Sequence, residues 1–137
     1  MSLFRILDIA GSAMSAQSVR LNTTASNLAN ADSITSSADT TYRARRPVFA
    51  AALDNAMDGA SAGVEVKGIV ESDAPLIREY SPNHPLADKD GYIFRPNVNQ
   101  VEEMADMMSA SRAYQTNVQV ADSAKQMLLQ TLRIGKS

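Results

Sequence analysis

Residues 1–30 read MSLFRILDIAGSAMSAQSVRLNTTASNLAN, a stretch in which only Arg5, Asp8 and Arg20 carry charge. Leu7, Ala10, Met14, Gln17, Leu21, Thr24 and Leu28 recur at steps of three and four, the spacing of a seam along one side of a helix. A helix working alone at a surface carries charge on its outer face. Here that face is Ser, Gln, Asn and Thr, which suits contact with other protein better than open water. The stretch is expected to run as one helix from about Ser2, its N-cap, to Asn30, roughly 40–45 Å of rod. Gly11 weakens it by about 1 kcal/mol relative to alanine and marks an expected bend or frayed first segment.

The other end of the chain reads the same way. Asn99 is a capping residue with Glu102 three positions on, a variant of the reciprocal capping box. Glu102, Glu103 and Asp106 sit where carboxylates complement the positive end of a helix. A stripe of Met107, Ala110, Tyr114, Val118, Ala121, Leu128 and Leu132 follows, with Arg133 near the negative end and Gly135 as a stop. Met104, Met107, Met108 and Met127 add side chains that adapt to unlike neighbours.

Between the helices the pattern changes. Residues 31–41 are rich in Ser, Thr and Asp and read as a linker or loop. Residues 42–96 read as a small β-rich region. Strands are expected at Val64–Val70 with a period of two and at Tyr92–Arg95; Val48–Leu53 reads as a short strand or, from its alanines, a helix turn, and Leu76–Tyr80 as an extended segment between prolines. Residues 54–63 form a small-residue loop, and Asp88-Lys89-Asp90-Gly91 a turn. About 50 residues of ribbon bury little by themselves, so this unit is expected to lean on the helices. The fold class is α+β: two long terminal helices packing in a coiled-coil-like layer, with a small β-rich middle.

Composition narrows the function. The formal charge is −2 over 137 residues, and a nucleic-acid partner would call for a basic face. The densest basic cluster, Arg43, Arg45 and Arg46, reads as a solvated strand edge. With no cysteine, thiolate metal sites, disulfides and cysteine nucleophiles are excluded. No run approaches the roughly 18 apolar residues of a membrane span, and Asp8 and Gly11 interrupt what would be the apolar part of a cleaved leader. His84, the single histidine, lies in a proline-flanked loop. No nucleophile elbow, phosphate loop or dinucleotide fingerprint accompanies it, so neither enzyme activity nor any cofactor is expected.

Asn27 and Asn30 remain to be explained. A helix C-cap accounts for Asn30 but not Asn27; amide hydrogen bonds between chains account for both. ASNLAN at 25–30 resembles the N-terminal signature of the bacterial flagellar rod and hook protein family. NHPLAD at 83–88, GY at 91–92, PNVN at 96–99, SASRAYQTNV at 109–118 and MLLQTLRIG at 127–135 are similar to that family's rod members, as are YRA at 42–44 and PVF at 47–49. The resemblance implies a structural subunit of the proximal rod in the periplasm, carrying motor torque toward the hook and passing through peptidoglycan. It also implies delivery by the flagellar type III export apparatus without a cleaved signal. Partners would be copies of itself and other rod proteins.

Family members keep their terminal helices disordered until assembly, so both arms are expected to find their partners outside their own polypeptide. The expected subunit contacts are Leu7, Met14, Gln17, Leu21, Asn27, Leu28 and Asn30 on the first helix. On the second they are Met107, Tyr114, Gln115, Asn117, Val118, Leu128 and Leu132. The competing readings are a self-contained α+β protein-binding module whose helices pair with each other, and a small hydrolase using His84.

Overall fold

A computed structural model describes residues 2–52 and 63–136. Helix α1 spans Leu3–Asn30 and helix α2 spans Gln100–Ile134, 28 and 35 residues. Between them lie a 3₁₀ turn at Ala38–Thr40 and four strands: β1 (Arg45–Ala52), β2 (Gly63–Glu71), β3 (Ile77–Tyr80) and β4 (Tyr92–Arg95). This is the expected α+β arrangement. Leu53 and residues 54–62 of the loop expected over 54–63 fall outside the described residues, and Gly63 belongs to β2 rather than to that loop.

Local signals set the helix ends. The Ser2 hydroxyl accepts from the Phe4 N–H at 3.3 Å, occupying one orphan donor of α1. Asn99 Oδ1 accepts from Val101 and Glu102 N–H groups at 3.1 and 3.3 Å. The reciprocal half of the capping box is absent: the Glu102 carboxylate takes a hydrogen bond from Arg46 at 2.9 Å, a charged donor outside the helix. Helix α1 runs unbroken through Gly11. It ends at Asn30, as expected, with Ala31 rather than Asn30 as the C-cap; the Asn30 Nδ2 turns back to the Ser26 carbonyl at 2.9 Å.

The strands form two separate antiparallel ribbons. In the first, Arg45 pairs with Glu71 and Ala52 with Gly63. A bulge between Val48 and Phe49, which leaves Lys67 unpaired, breaks the alternation that a period of two would give, so Val66 and Val70 fall on different faces, the first half-buried and the second exposed. In the second, Ile77 pairs with Arg95 and Tyr80 with Tyr92. Its turn needs Gly91, at φ +81°, where a Cβ would lie 2.9 Å from the Tyr80 ring and 3.1 Å from Pro82. Asp88 Oδ1 holds the same turn by accepting from the N–H groups of Asp90 and Tyr92.

The first ribbon lies against α1, and α1 packs along α2 with the two helices antiparallel. The arms therefore meet each other within one chain, which corrects the expectation that they pair only outside it. Each hides one face on the other. The packed residues are small: Ala10 and Ala16 on α1, Ala110 and Ala124 on α2. A small apolar core of Ala31, Ala44 and Val98, flanked by Tyr42, closes the junction where the helices and first ribbon converge.

Candidate assembly interface

The junction is organised by a buried amide. Asn27 is 1% exposed, and its side chain makes four hydrogen bonds, all within its own chain. Nδ2 donates to the Arg45 carbonyl at 2.8 Å and to Glu103 Oε2 at 3.1 Å. Oδ1 accepts from the Arg45 N–H at 2.9 Å and the Tyr42 hydroxyl at 2.8 Å. The expected inter-chain bond for Asn27 is thereby corrected: every lone pair and proton is used in joining α1, β1 and α2. The same fit explains why a poor helix former stands here.

Charged groups surround this amide. Glu103, 3% exposed, lies 3.9 Å from Arg46, which also bonds Glu102. Arg20, the one cation in the middle of α1, reaches Asp106 with both Nε and Nη2. Hydrogen bonding to Asp106 raises the Arg20 pKa above its usual value, aided by charge attraction and opposed by burial. Arg43 donates to the carbonyls of Ser72 and Ala74, and Arg45 meets Glu71 at 3.4 Å. The arginine cluster is thus engaged with the fold rather than merely solvated. Sequence reasoning missed the roles of Arg20, Tyr42, Arg46, Glu103 and Asp106; the only hint was a charge placed in the middle of a nearly uncharged helix.

The remaining predicted contact residues fall into two groups. Leu7, Met14, Gln17, Leu21, Leu28 and Asn30 on α1 are half-buried, as are Met107, Asn117 and Leu128 on α2. Asn117 Nδ2 is bonded to the Ala113 carbonyl one turn back. Tyr114, Gln115, Val118 and Leu132 face solvent, Leu132 at 61% exposure. They are joined there by Val101, Met104, Met108, Met127 and Leu129, and on α1 by Phe4 at 63%. An open apolar groove of about 290 Å³ runs between the helices, lined by Leu3, Ile6, Val120 and Met127 among others. Because Leu3 shares that groove with Met127, the last two turns of α2 project past the start of α1. The hairpin leaves apolar side chains outward along much of its length.

Two regions of the chain match known families. Residues 7–36 match the flagella basal body rod protein family, and residues 89–134 match the flagellar basal body rod FlgEFG protein C-terminal family. The chain is 51% identical to the flagellar basal-body rod protein FlgC of Salmonella typhimurium over 136 residues, covering 99% of this chain and all of the relative. It is 52% identical to FlgC of Escherichia coli O157:H7 over the same span, and 36% identical to FlgC of Borreliella burgdorferi over 98% of each chain. The chain belongs to the FlgC family of flagellar basal-body rod proteins. In this FlgC-family chain the two matched regions hold the antiparallel hairpin: most of α1 and its exit in one, β4 and all of α2 in the other. No described helix is long and apolar enough to cross a membrane.

Proposed function

We propose that this chain is a structural subunit of the flagellar basal-body rod, and that its helical hairpin is the element that stacks against neighbouring subunits. The observation that carries the reading is the mismatch between the two sides of the hairpin. Alanines pack where the helices touch each other, while Met108, Val118, Leu129 and Leu132 face outward from α2. Exposed apolar stripes on stiff antiparallel helices gain partners in an array of similar helices, and a contact that does not close on itself yields a shaft. Residues 1–30 and 97–137 serve as the assembly helices, with 31–41 as linker and 42–96 as the β-rich spacer. Copies of the chain and related rod proteins are the neighbours, in a periplasmic shaft that transmits torque through the peptidoglycan and is supplied by the type III export apparatus. The rod-protein names of the relatives support a mechanical rather than catalytic role.

Leu132→Glu tests this directly. Leu132 is exposed, so a carboxylate there leaves the fold intact while facing any packed neighbour with an unpaired charge. The variant should be exported yet fail to restore swimming in cells lacking the wild-type protein. Normal swimming with Leu132→Glu would overturn the assignment of α2 as a packed surface. The reading as a self-contained binding module draws on the pairing of α1 with α2 within one chain. It would be favoured by a monodisperse subunit whose swimming role survives both Leu132→Glu and Leu129→Glu.

A further inference from the structure

We infer that helix α2 carries a reversible oxidation site, in which Met104, Met108 and Met127 accept oxygen from a hydroperoxide as sulfoxides and turn its outward apolar face polar while the fold stands. The chain has seven methionines and no cysteine, so an oxidant meets thioethers without a competing thiolate. Met1 and Met57 fall outside the described residues. The other five divide by burial. Met104, Met108 and Met127 are 56%, 59% and 56% exposed, whereas Met14 and Met107 are half-buried. Met104 and Met108 follow the exposed Val101 at steps of three and four, which makes one continuous outward patch. Glu103 and Asp106 bond to α1 from another side of the helix, so the patch is separate from the junction. Met127 lines the open groove beside Leu3 and Ile6.

In the forward step a sulfur lone pair attacks the terminal oxygen of the hydroperoxide, the O–O bond breaks, and the other oxygen takes up a proton and leaves as water or alcohol. Sulfur is oxidised by two electrons and the peroxide reduced by two. The return step needs an outside thiol reductant, because the chain holds no thiol: two thiols become a disulfide and the sulfoxide oxygen leaves as water. The product replaces a soft thioether by a strong acceptor on the same flexible side chain. On the exposed patch water satisfies that acceptor, and the bonds from Asn27 to Glu103 and from Arg20 to Asp106 are untouched. Packed against a neighbour's apolar side chains, the same oxygen has no donor, which disfavours the contact. This consequence for assembly rests on the rod role proposed above; the pattern of oxidation does not.

Hydrogen peroxide added to the full-length subunit, followed by peptide mass spectrometry, tests the site. Met104, Met108 and Met127 should oxidise about tenfold or more faster than Met14 and Met107, with far-ultraviolet circular dichroism and the urea midpoint unchanged. The oxidised subunit should elute earlier from a hydrophobic-interaction column, and methionine sulfoxide reductases with dithiothreitol should restore both mass and retention. Equal oxidation of all five methionines, loss of structure on oxidation, or unshifted retention would overturn the inference. In cells, Met104→Gln with Met108→Gln imitates the polarity of the sulfoxides and should abolish swimming. Met104→Leu with Met108→Leu, which keeps the patch apolar, should swim further than the glutamine pair; equal loss in both pairs would show that polarity is not the cause. If Leu132→Glu blocks swimming but the glutamine pair swims like wild type, the consequence for assembly fails and the rod role stands. If Leu132→Glu also swims, the packed α2 face fails with it.

Discussion

Replacing Asn27 by alanine should be among the most damaging single changes in the described part of the chain, although it removes one small amide. Four groups lose their partner: the Arg45 N–H and carbonyl, the Tyr42 hydroxyl and the Glu103 carboxylate. Each stranded buried group costs about 1–3 kcal/mol. The Tyr42 hydroxyl can fall back on Ser26 Oγ, already 3.4 Å away, and Arg46 remains near Glu103. The two Arg45 backbone groups and part of the carboxylate are left, giving a net cost of about 3–5 kcal/mol. Domains are commonly stable by only about 5–15 kcal/mol, so the variant should be close to unfolded. Urea unfolding followed by far-ultraviolet circular dichroism and tyrosine fluorescence would read the loss.

Asn30→Ala is the internal control. Its amide donates only to the Ser26 carbonyl within the same helix, so the expected cost is about 1 kcal/mol or less. Asn27→Asp keeps an oxygen for the Arg45 N–H and Tyr42 but loses the donor and sets a second carboxylate against Glu103. It should destabilise strongly at neutral pH. A cost for Asn27→Ala no larger than that of Asn30→Ala would refute the view that this amide holds the junction together.

Other expectations follow from the same geometry. Gly91→Ala forces a side chain into a left-handed backbone and against the Tyr80 ring, and should cost about 1–3 kcal/mol in thermal or urea unfolding. Gly68→Ala, with open space around its Cβ position, should stay within about 0.5 kcal/mol of wild type. Asn99→Ala removes the cap of α2 and should cost about 1 kcal/mol. Glu102→Ala removes a mostly exposed ion pair with Arg46 and should cost less than about 1 kcal/mol in the same unfolding assay, a ranking that would reverse if a reciprocal capping box formed. Leu21→Asp or Leu28→Asp puts a charge on the half-buried seam; each should abolish swimming while the protein is still exported, as read by motility in soft agar with detection of secreted subunit.

The sequence was sufficient for features whose cause is local. Periodicity in residues 1–30 and the Asn99 cap fixed two long helices, because helix formation depends on spacing and end chemistry within a few residues. The Asp88–Gly91 turn and the strand at Tyr92–Arg95 were legible for the same reason. The stripe read from spacing on α2 is split in the structure: Ala110 is buried, Met107, Ala121 and Leu128 are half-buried, and Tyr114, Val118 and Leu132 are exposed, while long ordered motifs carried the family. What the sequence could not decide was which partner each face meets. Asn27 looked like an inter-chain group until its four partners were found on β1, α2 and Tyr42, separated along the chain by up to 76 residues. Arg20 and Asp106 lie 86 residues apart and show no mutual signal. The Val48/Phe49 bulge likewise cancelled an alternation that looked sound in one dimension. Periodicity states that a face needs burial; only the tertiary structure assigns α1 and α2 to each other, because that choice depends on distances between residues far apart in the chain.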